Sequence, residues 1–304
     1  MRIDDSWRRL NAPDFSPYSR LDPDRAITML GADPFAPGAV LPPHVIGAVS
    51  VSVPVYAEDG FQLRASEVEA LITPRTRCLL LTNPNNPTGA VYSRSNLEEL
   101  AVVAARHDLM VIVDQAFERQ VYDGIEYVDF ATLPGMADRT ITIFGTSKDL
   151  GLSGFRVAYM VAPREVVDIL KIATFNMHGA TNTFAQYGVA AAYDDPSYLD
   201  EWLEIFRARR AYGQRVLDGI PGVTCPLPDG GFYFWADVAA LGGGEAVRDH
   251  LIDDAQIGVL PGTMFGTRGA DYLRIMYGTV ADEARYVEGI DRIAASLERL
   301  GARR

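Results

Sequence analysis

Ile141-Thr-Ile-Phe-Gly-Thr-Ser-Lys148-Asp-Leu-Gly-Leu-Ser-Gly-Phe-Arg156 reads as a β-branched apolar strand, a lysine just beyond its end, and a Gly-rich reversal. An arginine then leads into a second apolar run, Phe155 to Ala162, which is expected to return in the opposite direction. The chain carries only two lysines against 26 arginines. Codon bias is the bland explanation of that imbalance. The chemical one is that a guanidinium forms no Schiff base at neutral pH, whereas a partly desolvated lysine amine lowers its pKa and can.

Working outward, Cys78 to Thr82, Leu109 to Val113 and Thr140 to Phe144 read as strands, and Asn96 to Arg106 as an amphipathic helix. The order β, α, β predicts an α/β sheet with parallel neighbours and right-handed crossovers. Val49-Ser-Val-Ser-Val53 alternates at period two and is also predicted as a strand. Residues 1 to 44 are rich in Pro and Asp, with one helical candidate after Pro42-Pro43. A long helix opens at Pro196 and runs to about Leu217, long enough to bridge two lobes. Beyond it come Gly231-Phe-Tyr-Phe-Trp235, a helix near Glu245 to Ile252, and strands at Gly258 to Leu260 and Tyr272 to Tyr277. In the closing helix, Ala281 to Leu300, the residues Val287, Ile290, Ile293, Ala294, Leu297 and Leu300 share one face and are expected to pack into the core.

With 304 residues and 48% apolar content, the chain can build one large or two ordinary domains. A net charge of −12 argues against a nucleic-acid or anionic-membrane surface. Met1-Arg-Ile-Asp-Asp lacks the pattern of a signal peptide, and the apolar stretch Val45 to Ala57 is interrupted by Ser50, Ser52 and Pro54. A cytoplasmic protein handling small molecules is the expectation. Cys78 and Cys225 show no metal or redox spacing and are expected to be buried thiols in a reducing compartment. His44, His107, His178 and His250 are scattered, so no metal is expected; His178 reads as a structural residue.

Three polar signals fall just past the carboxyl ends of three predicted strands, where open α/β sheets place ligands: Asn83-Pro-Asn-Asn-Pro-Thr-Gly89, Asp114 and Lys148. Singly, they read as a turn, a cap and a solvated lysine. Together they suit pyridoxal phosphate chemistry, which needs an amine for the cofactor aldehyde and a carboxylate to keep the pyridine nitrogen protonated. Lys148 and Asp114 fill those roles, and Asn86 can donate to the ring's phenolic oxygen. Arg156, following Gly154-Phe155 on an apolar strand, is expected not to be fully solvated and to return along that strand to the cofactor phosphate.

These segments continue as Val113-Asp-Gln-Ala-Phe-Glu118, Val121-Tyr-Asp-Gly124, Gly230-Gly-Phe-Tyr-Phe-Trp-Ala-Asp237, Pro261-Gly262 and Tyr272-Leu-Arg-Ile275. In that order the set resembles the class I/II aminotransferases, pyridoxal phosphate enzymes of fold type I, from roughly Val51 onward. The resemblance implies a mainly parallel α/β large domain and a smaller α+β C-terminal domain. It implies an N-terminal arm over 1–45, a shortened cofactor-binding domain over 46–205 and a small domain over 206–304. It gives Asn86, Asp114, Lys148 and Arg156 the cofactor roles and makes Arg274 the clamp for the substrate's α-carboxylate. Lys148 becomes the catalytic proton carrier between the α-carbon and the cofactor. It also implies a homodimer and, as reaction, exchange of an amino group between an amino acid and a 2-oxo acid.

Departures from the family pattern keep other readings in view. Phe117 stands where the family usually has Tyr, Gly145 where it has a hydroxyl residue, and Ala158 where it has Gly. The chain is about a hundred residues shorter than such enzymes usually are, with the shortfall near Ala48 to Ser50. In the family a Gly-rich phosphate turn with a helix N-terminus, and an aromatic residue that stacks on the cofactor ring, lie in that segment; here it is expected to be missing, and Gly31-Ala32 and Pro37-Gly38-Ala39 are the only candidates to replace the turn. One alternative is elimination, replacement or cyclisation on a bound amino acid, which Phe117 favours. Another is a binding or structural subunit without activity, which the shortening favours. Missing strands would expose sheet edges and apolar helix faces.

Overall fold

The computed structural model describes residues 48–303 apart from 178 and 281, together with Arg20 and Ile27–Thr28. The helical candidate after Pro42-Pro43, the turns Gly31-Ala32 and Pro37-Gly38-Ala39, His44 and His178 lie outside the described residues. The chain divides into two compact units. One comprises Val53–Ile205 with Asp229–Gly231; the other contains Phe206–Pro228, Phe232 to the C-terminus and the described residues before Val53.

The first unit is built on four strands, β2 (Cys78–Thr82), β3 (Met110–Asp114), β4 (Thr140–Gly145) and β5 (Ala158–Val161), hydrogen-bonded in that order. β2, β3 and β4 run parallel, and β5 returns antiparallel to β4, as the Gly-rich reversal predicts. Alternation explains which face is covered. Leu79 and Leu81, then Val111 and Val113, point into a core filled by Leu97, Leu100, Ala101 and Ala104. Those four occupy the i, i+3, i+4 and i+7 positions of the helix Arg94–Arg106. The helix starts where Ser93 Oγ accepts the Asn96 N–H, which satisfies one of the amides that a helix start leaves over.

On the opposite face Leu80 and Met160 are exposed, while Ile112, Ile141 and Ile143 are half-buried. Tyr159 and Val161 share the side of Leu79 and Leu81 but stand on β5, where they are exposed; sheets with parallel strands are ordinarily covered on both sides. Cys78 is exposed on the Leu80 side of edge strand β2, which corrects the expectation of a buried thiol; Cys225 is buried as expected. The strand predicted over Val49–Val53 does not form. Val49 and Val51 are exposed, and the segment pairs with no strand among the described residues. Alternation specifies a strand only when a neighbour satisfies its backbone groups.

Helices Arg164–Met177 and Thr183–Asp194 follow β5, and Leu150, Val157, Val189 and Leu199 form a second small core in this unit. The long helix runs over Tyr198–Asp218, two residues later than its predicted start. It begins in the first unit and ends in the second.

The second unit is α+β. Strands β6 (Tyr233–Asp237), β9 (Tyr272–Met276) and β8 (Leu260–Pro261) form an antiparallel sheet with β9 in the middle. The predicted strand Gly258–Leu260 is split: β7 (Ile257–Gly258) pairs with β1 (Ile27–Thr28), and β8 joins β9. The closing helix Glu283–Gly301, capped by Asp282, buries Tyr286, Ile290, Ile293 and Leu297. Buried Arg209 ties the long helix to this unit by donating to Glu283 Oε2 (2.7 Å), Tyr277 O (3.0 Å) and Val280 O (2.6 Å). No helix among the described residues is long and apolar enough to cross a membrane.

Candidate active site

The register of the first sheet decides which loops meet. Thr82 lies opposite Asp114, and Asp114 opposite Ile143. The ladder continues one residue beyond, with Asn83 N–H donating to Asp114 O and Gln115 N–H to Ile143 O. The chain therefore leaves β2, β3 and β4 at one edge, with strands spaced by about 4.8 Å. Gly145, the last residue of β4, pairs with Ala158, the first of β5, so Arg156 stands at that edge as well. The fold brings together Asn86, Asp114, Lys148 and Arg156, the four residues singled out in this half of the sequence.

Asn83 and Asn85 build the turn that carries Asn86. Asn83 Oδ1 accepts the Tyr92 N–H at 3.0 Å. Asn85 Oδ1 accepts the Thr88 hydroxyl at 2.8 Å, and its Nδ2 donates to Tyr92 at 2.9 Å. Asn86 is half-buried at the tip.

Asp114 is half-buried, and loss of water around its carboxyl pushes its pKa upward; the Ala116 N–H opposes this. Among the described residues no cation is ion-paired with it. A carboxyl in that position fits a cationic ring nitrogen, which would reverse the direction of the shift.

Lys148 is half-buried on a single helical turn, Thr146–Asp149, directly after β4. Thr146 Oγ1 donates to Val157 O at 2.6 Å, and Gln120 Nε2 to Lys148 O at 3.0 Å, so both flanks of the turn are fixed. Arg156 is exposed and precedes the strand on which it was expected, because β5 starts two residues later and Arg156 ends a 3₁₀ turn over Ser153–Phe155. Its backbone is left-handed (φ 55°), a conformation costing a non-glycine residue on the order of 1 kcal/mol. Its Nη1 donates to Ser153 O at 2.8 Å.

Arg274 belongs to the second unit. It lies on the central strand β9, opposite Trp235 on one side and Leu260 on the other, and is 3% exposed. Its guanidinium carbon is 4.8 Å from the Phe265 ring centre and 5.3 Å from that of Tyr233. This aromatic bracket holds the guanidinium plane.

Sequence reasoning overlooked a group of acids and phenols beside the lysine turn. Asp149, next to Lys148, is 4% exposed. Half-buried Glu118 and Tyr127 lie near it, and the Tyr127 hydroxyl donates to Asn83 O at 3.2 Å. The signal was available as a carboxylate inside the quoted run, but nothing in its spacing indicates burial.

The model of the family "Aminotransferase class I and II" matches residues 45–293. The chain belongs to that family. The aromatic-amino-acid aminotransferase 2 of Thermococcus litoralis is 37% identical over 272 residues, 87% of this chain and 67% of that protein. The aspartate aminotransferase of Musicola paradisiaca is 34% identical, over 84% of this chain and 64% of its own length. Among solved structures, the aromatic aminotransferase from Pyrococcus horikoshii superposes with TM-score 0.82 at 30% identity, covering 93% of this chain and 76% of that one. The aspartate aminotransferase of Rhizobium meliloti gives TM-score 0.81 at 31% identity, covering 93% and 73%. The fold is thus that of the fold type I aminotransferases. The chain spans about two thirds of the length of the curated relatives it matches.

Proposed function

We propose that the chain is a pyridoxal phosphate-dependent aminotransferase exchanging an amino group between an amino acid and a 2-oxo acid. The observation that carries this reading is the meeting of an amine, a carboxyl, an amide and a guanidinium at one sheet edge, with the Asp114 carboxyl ion-paired to no cation among the described residues. When bound, pyridoxal phosphate supplies an aldehyde for amines and a ring that takes up electrons from the substrate's α-carbon.

The chain's own residues then divide the work. Asp114 holds the ring nitrogen in its protonated form through a charge-assisted hydrogen bond. Asn86 donates to the phenolic oxygen, and Arg156 pairs with the phosphate. Lys148 anchors the group through Nζ and afterwards moves a proton to or from the α-carbon. Arg274 grips the α-carboxylate bidentately and thereby orients the bond to be broken. In domain terms, residues 46–205 bind the cofactor, 206–304 form the small domain and 1–45 the arm. The enzyme is read as a cytoplasmic homodimer, and the exposed apolar side chains of the first unit favour association.

Phe117, buried and lacking a hydroxyl where the family usually has Tyr, supports a second reading as an elimination, replacement or cyclisation enzyme. A direct test adds pyridoxal phosphate, reduces with borohydride and locates the modified residue by mass spectrometry. Attachment at Lys148, lost in Lys148→Ala together with at least ~10³-fold of any turnover, is the expected outcome. Release of ammonia without a new amino acid would favour the second reading. A folded protein that takes up no cofactor would overturn both and leave a binding subunit.

A further inference from the structure

The helical piece that carries Lys148, Thr146–Asp149, is four residues long and too short to satisfy its own carbonyls by bonds from i+4. The Lys148 carbonyl accepts the Gly151 N–H at 3.3 Å, which closes the turn, and from a distant segment it accepts Gln120 Nε2 at 3.0 Å. Gln120 is itself held on two sides. Its N–H donates to Phe117 O at 3.0 Å, closing the turn that follows Asp114, and its carbonyl accepts the Gly231 N–H at 2.8 Å. Gly230 N–H donates in turn to Gly89 O at 2.8 Å, at the end of the turn that carries Asn86. The loops bearing Asn86, Asp114 and Lys148 are therefore joined through Gln120 and the short run beside it. A second contact between the same two segments runs from the Arg119 N–H to Asp149 Oδ1 at 3.3 Å.

Packing alone does not account for an amide at this place. Gln120 is 3% exposed, and its Oε1 is buried with no hydrogen-bond partner among the described residues. A methionine would fill similar space without burying that oxygen, so the use of the amide lies in its Nε2 donor. The bond also decides which end of the amide faces the lysine turn, since Oε1 there would meet Lys148 O, acceptor against acceptor.

We propose that Gln120 is a positioning residue for Lys148: it sets the lysine turn in register with the segment that begins at Asp114, and so fixes the base from which Nζ swings. This rests on the reading of Lys148 and Asp114 as the cofactor site. In that reading Nζ condenses with the aldehyde of pyridoxal phosphate, forming a C=N bond and releasing one water, and a displacement of about 1 Å can cost ~10²-fold in rate.

The experiment compares full-length wild type with Gln120→Met, which keeps the length of the side chain and removes the donor. Without cofactor, hydrogen exchange is read at Gly151 and Leu152, whose amides donate to Lys148 O and Thr146 O. Both are expected to exchange at least ~10-fold faster in the variant, while the interior amides of helix Arg94–Arg106 stay within about twofold. With pyridoxal phosphate added over a range of concentrations, timed samples are reduced with borohydride and modified Lys148 is counted by mass spectrometry. The maximal rate is expected to fall about tenfold and the half-saturating concentration to stay within about twofold. A merely structural role would lower the folded fraction and leave the rate per folded molecule unchanged. Gln120→Glu is the second variant: its carboxylic acid donates to Lys148 O when protonated and cannot when ionised. Its exchange at Gly151 and Leu152, relative to wild type at the same pH, should be near unity at pH 5 and clearly faster at pH 9.

Unchanged exchange at Gly151 and Leu152 in Gln120→Met would overturn the proposal, as would an unchanged trapping rate per folded molecule where wild type is trapped. If that variant does not fold, Gln120→Glu matching wild type at both pH values would do so. Faster exchange with no trapping at Lys148 in either protein removes the cofactor reading and leaves the register set by Gln120 standing. Normal trapping in both proteins with superimposed exchange does the reverse.

Discussion

Asp114 and Asp149 are both acids at one sheet edge, and in both burial drives the pKa upward, yet they point to different behaviour. Asp114 is half-buried and lies where a cationic ligand can reverse its shift. Asp149 is enclosed beside another carboxyl and a backbone amide, so its proton stays through neutrality. The linkage has a definite sign. Between the unfolded value near 4 and the folded value of about 8, the native state holds a proton that the unfolded chain has released, so this group's contribution to stability declines as pH rises through that window. Asp149→Asn should remove the decline. Urea melts at pH 5 and pH 9 are expected to show the variant gaining ~2 kcal/mol or more on wild type at the higher pH; equal pH dependence in the two proteins would contradict it. The places of Asn86, Asp114 and Lys148 were legible from their spacing against predicted strand ends, whereas Arg156 was read onto the returning strand and stands just before it. The burial of Asp149 was not, because it depends on the segment Phe117–Gln120, thirty residues away, folding back over the lysine turn.

Among the elements, β2, β3 and β4 and the helix Arg94–Arg106 appear where periodicity predicts them, since each carries its own apolar stripe and a cap or turn at its end. Val49–Val53 carries the same alternation and makes no strand, because a strand needs a partner that alternation does not provide. The short run Asp229–Gly231 shows how close packing joins elements within the first unit. Gly230 N–H donates to Gly89 O at 2.8 Å and Gly231 N–H to Gln120 O at 2.8 Å, and the Tyr122 hydroxyl donates to Gly231 O at 2.6 Å. A Cβ at Gly230 would sit 2.7 Å from Pro84 Cγ and 2.9 Å from Gln120 O. Gly230→Ala should therefore cost about 1–3 kcal/mol in denaturant melts and disturb the Asn86 turn; a neutral result would contradict the close approach. In the second unit, Arg209→Met leaves the Tyr277 and Val280 carbonyls without their donor, whereas Glu283→Gln removes only a half-exposed partner. The first change is expected to cost ~2–3 kcal/mol and the second under ~1; the reverse order in melting experiments would refute the assignment.

For the molecule as a whole, the exposed apolar side chains of helices Arg164–Met177 and Thr183–Asp194 are the main departure from a closed α/β domain. Phe175, Phe184 and Tyr187 are 76%, 89% and 75% exposed, which is unusual for so many large apolar groups on one segment. The doubly substituted Phe184→Ser, Tyr187→Ser protein should bind less of an apolar fluorescent dye than wild type, while its stability changes by no more than about 0.5 kcal/mol. Undiminished dye binding would mean that these side chains are covered in solution. The sequence by itself determined the alternation of strands and helices, the ordered motifs that mark the aminotransferase family and the identity of the residues at the strand ends. These are properties of local periodicity and of chemistry carried by single side chains. Only the tertiary structure decided that Val49–Val53 pairs with no strand among the described residues, that Cys78 and Arg156 are exposed, and that Asp149 is enclosed. Burial and strand pairing are set by what packs alongside a residue, and those neighbours come from distant parts of the chain.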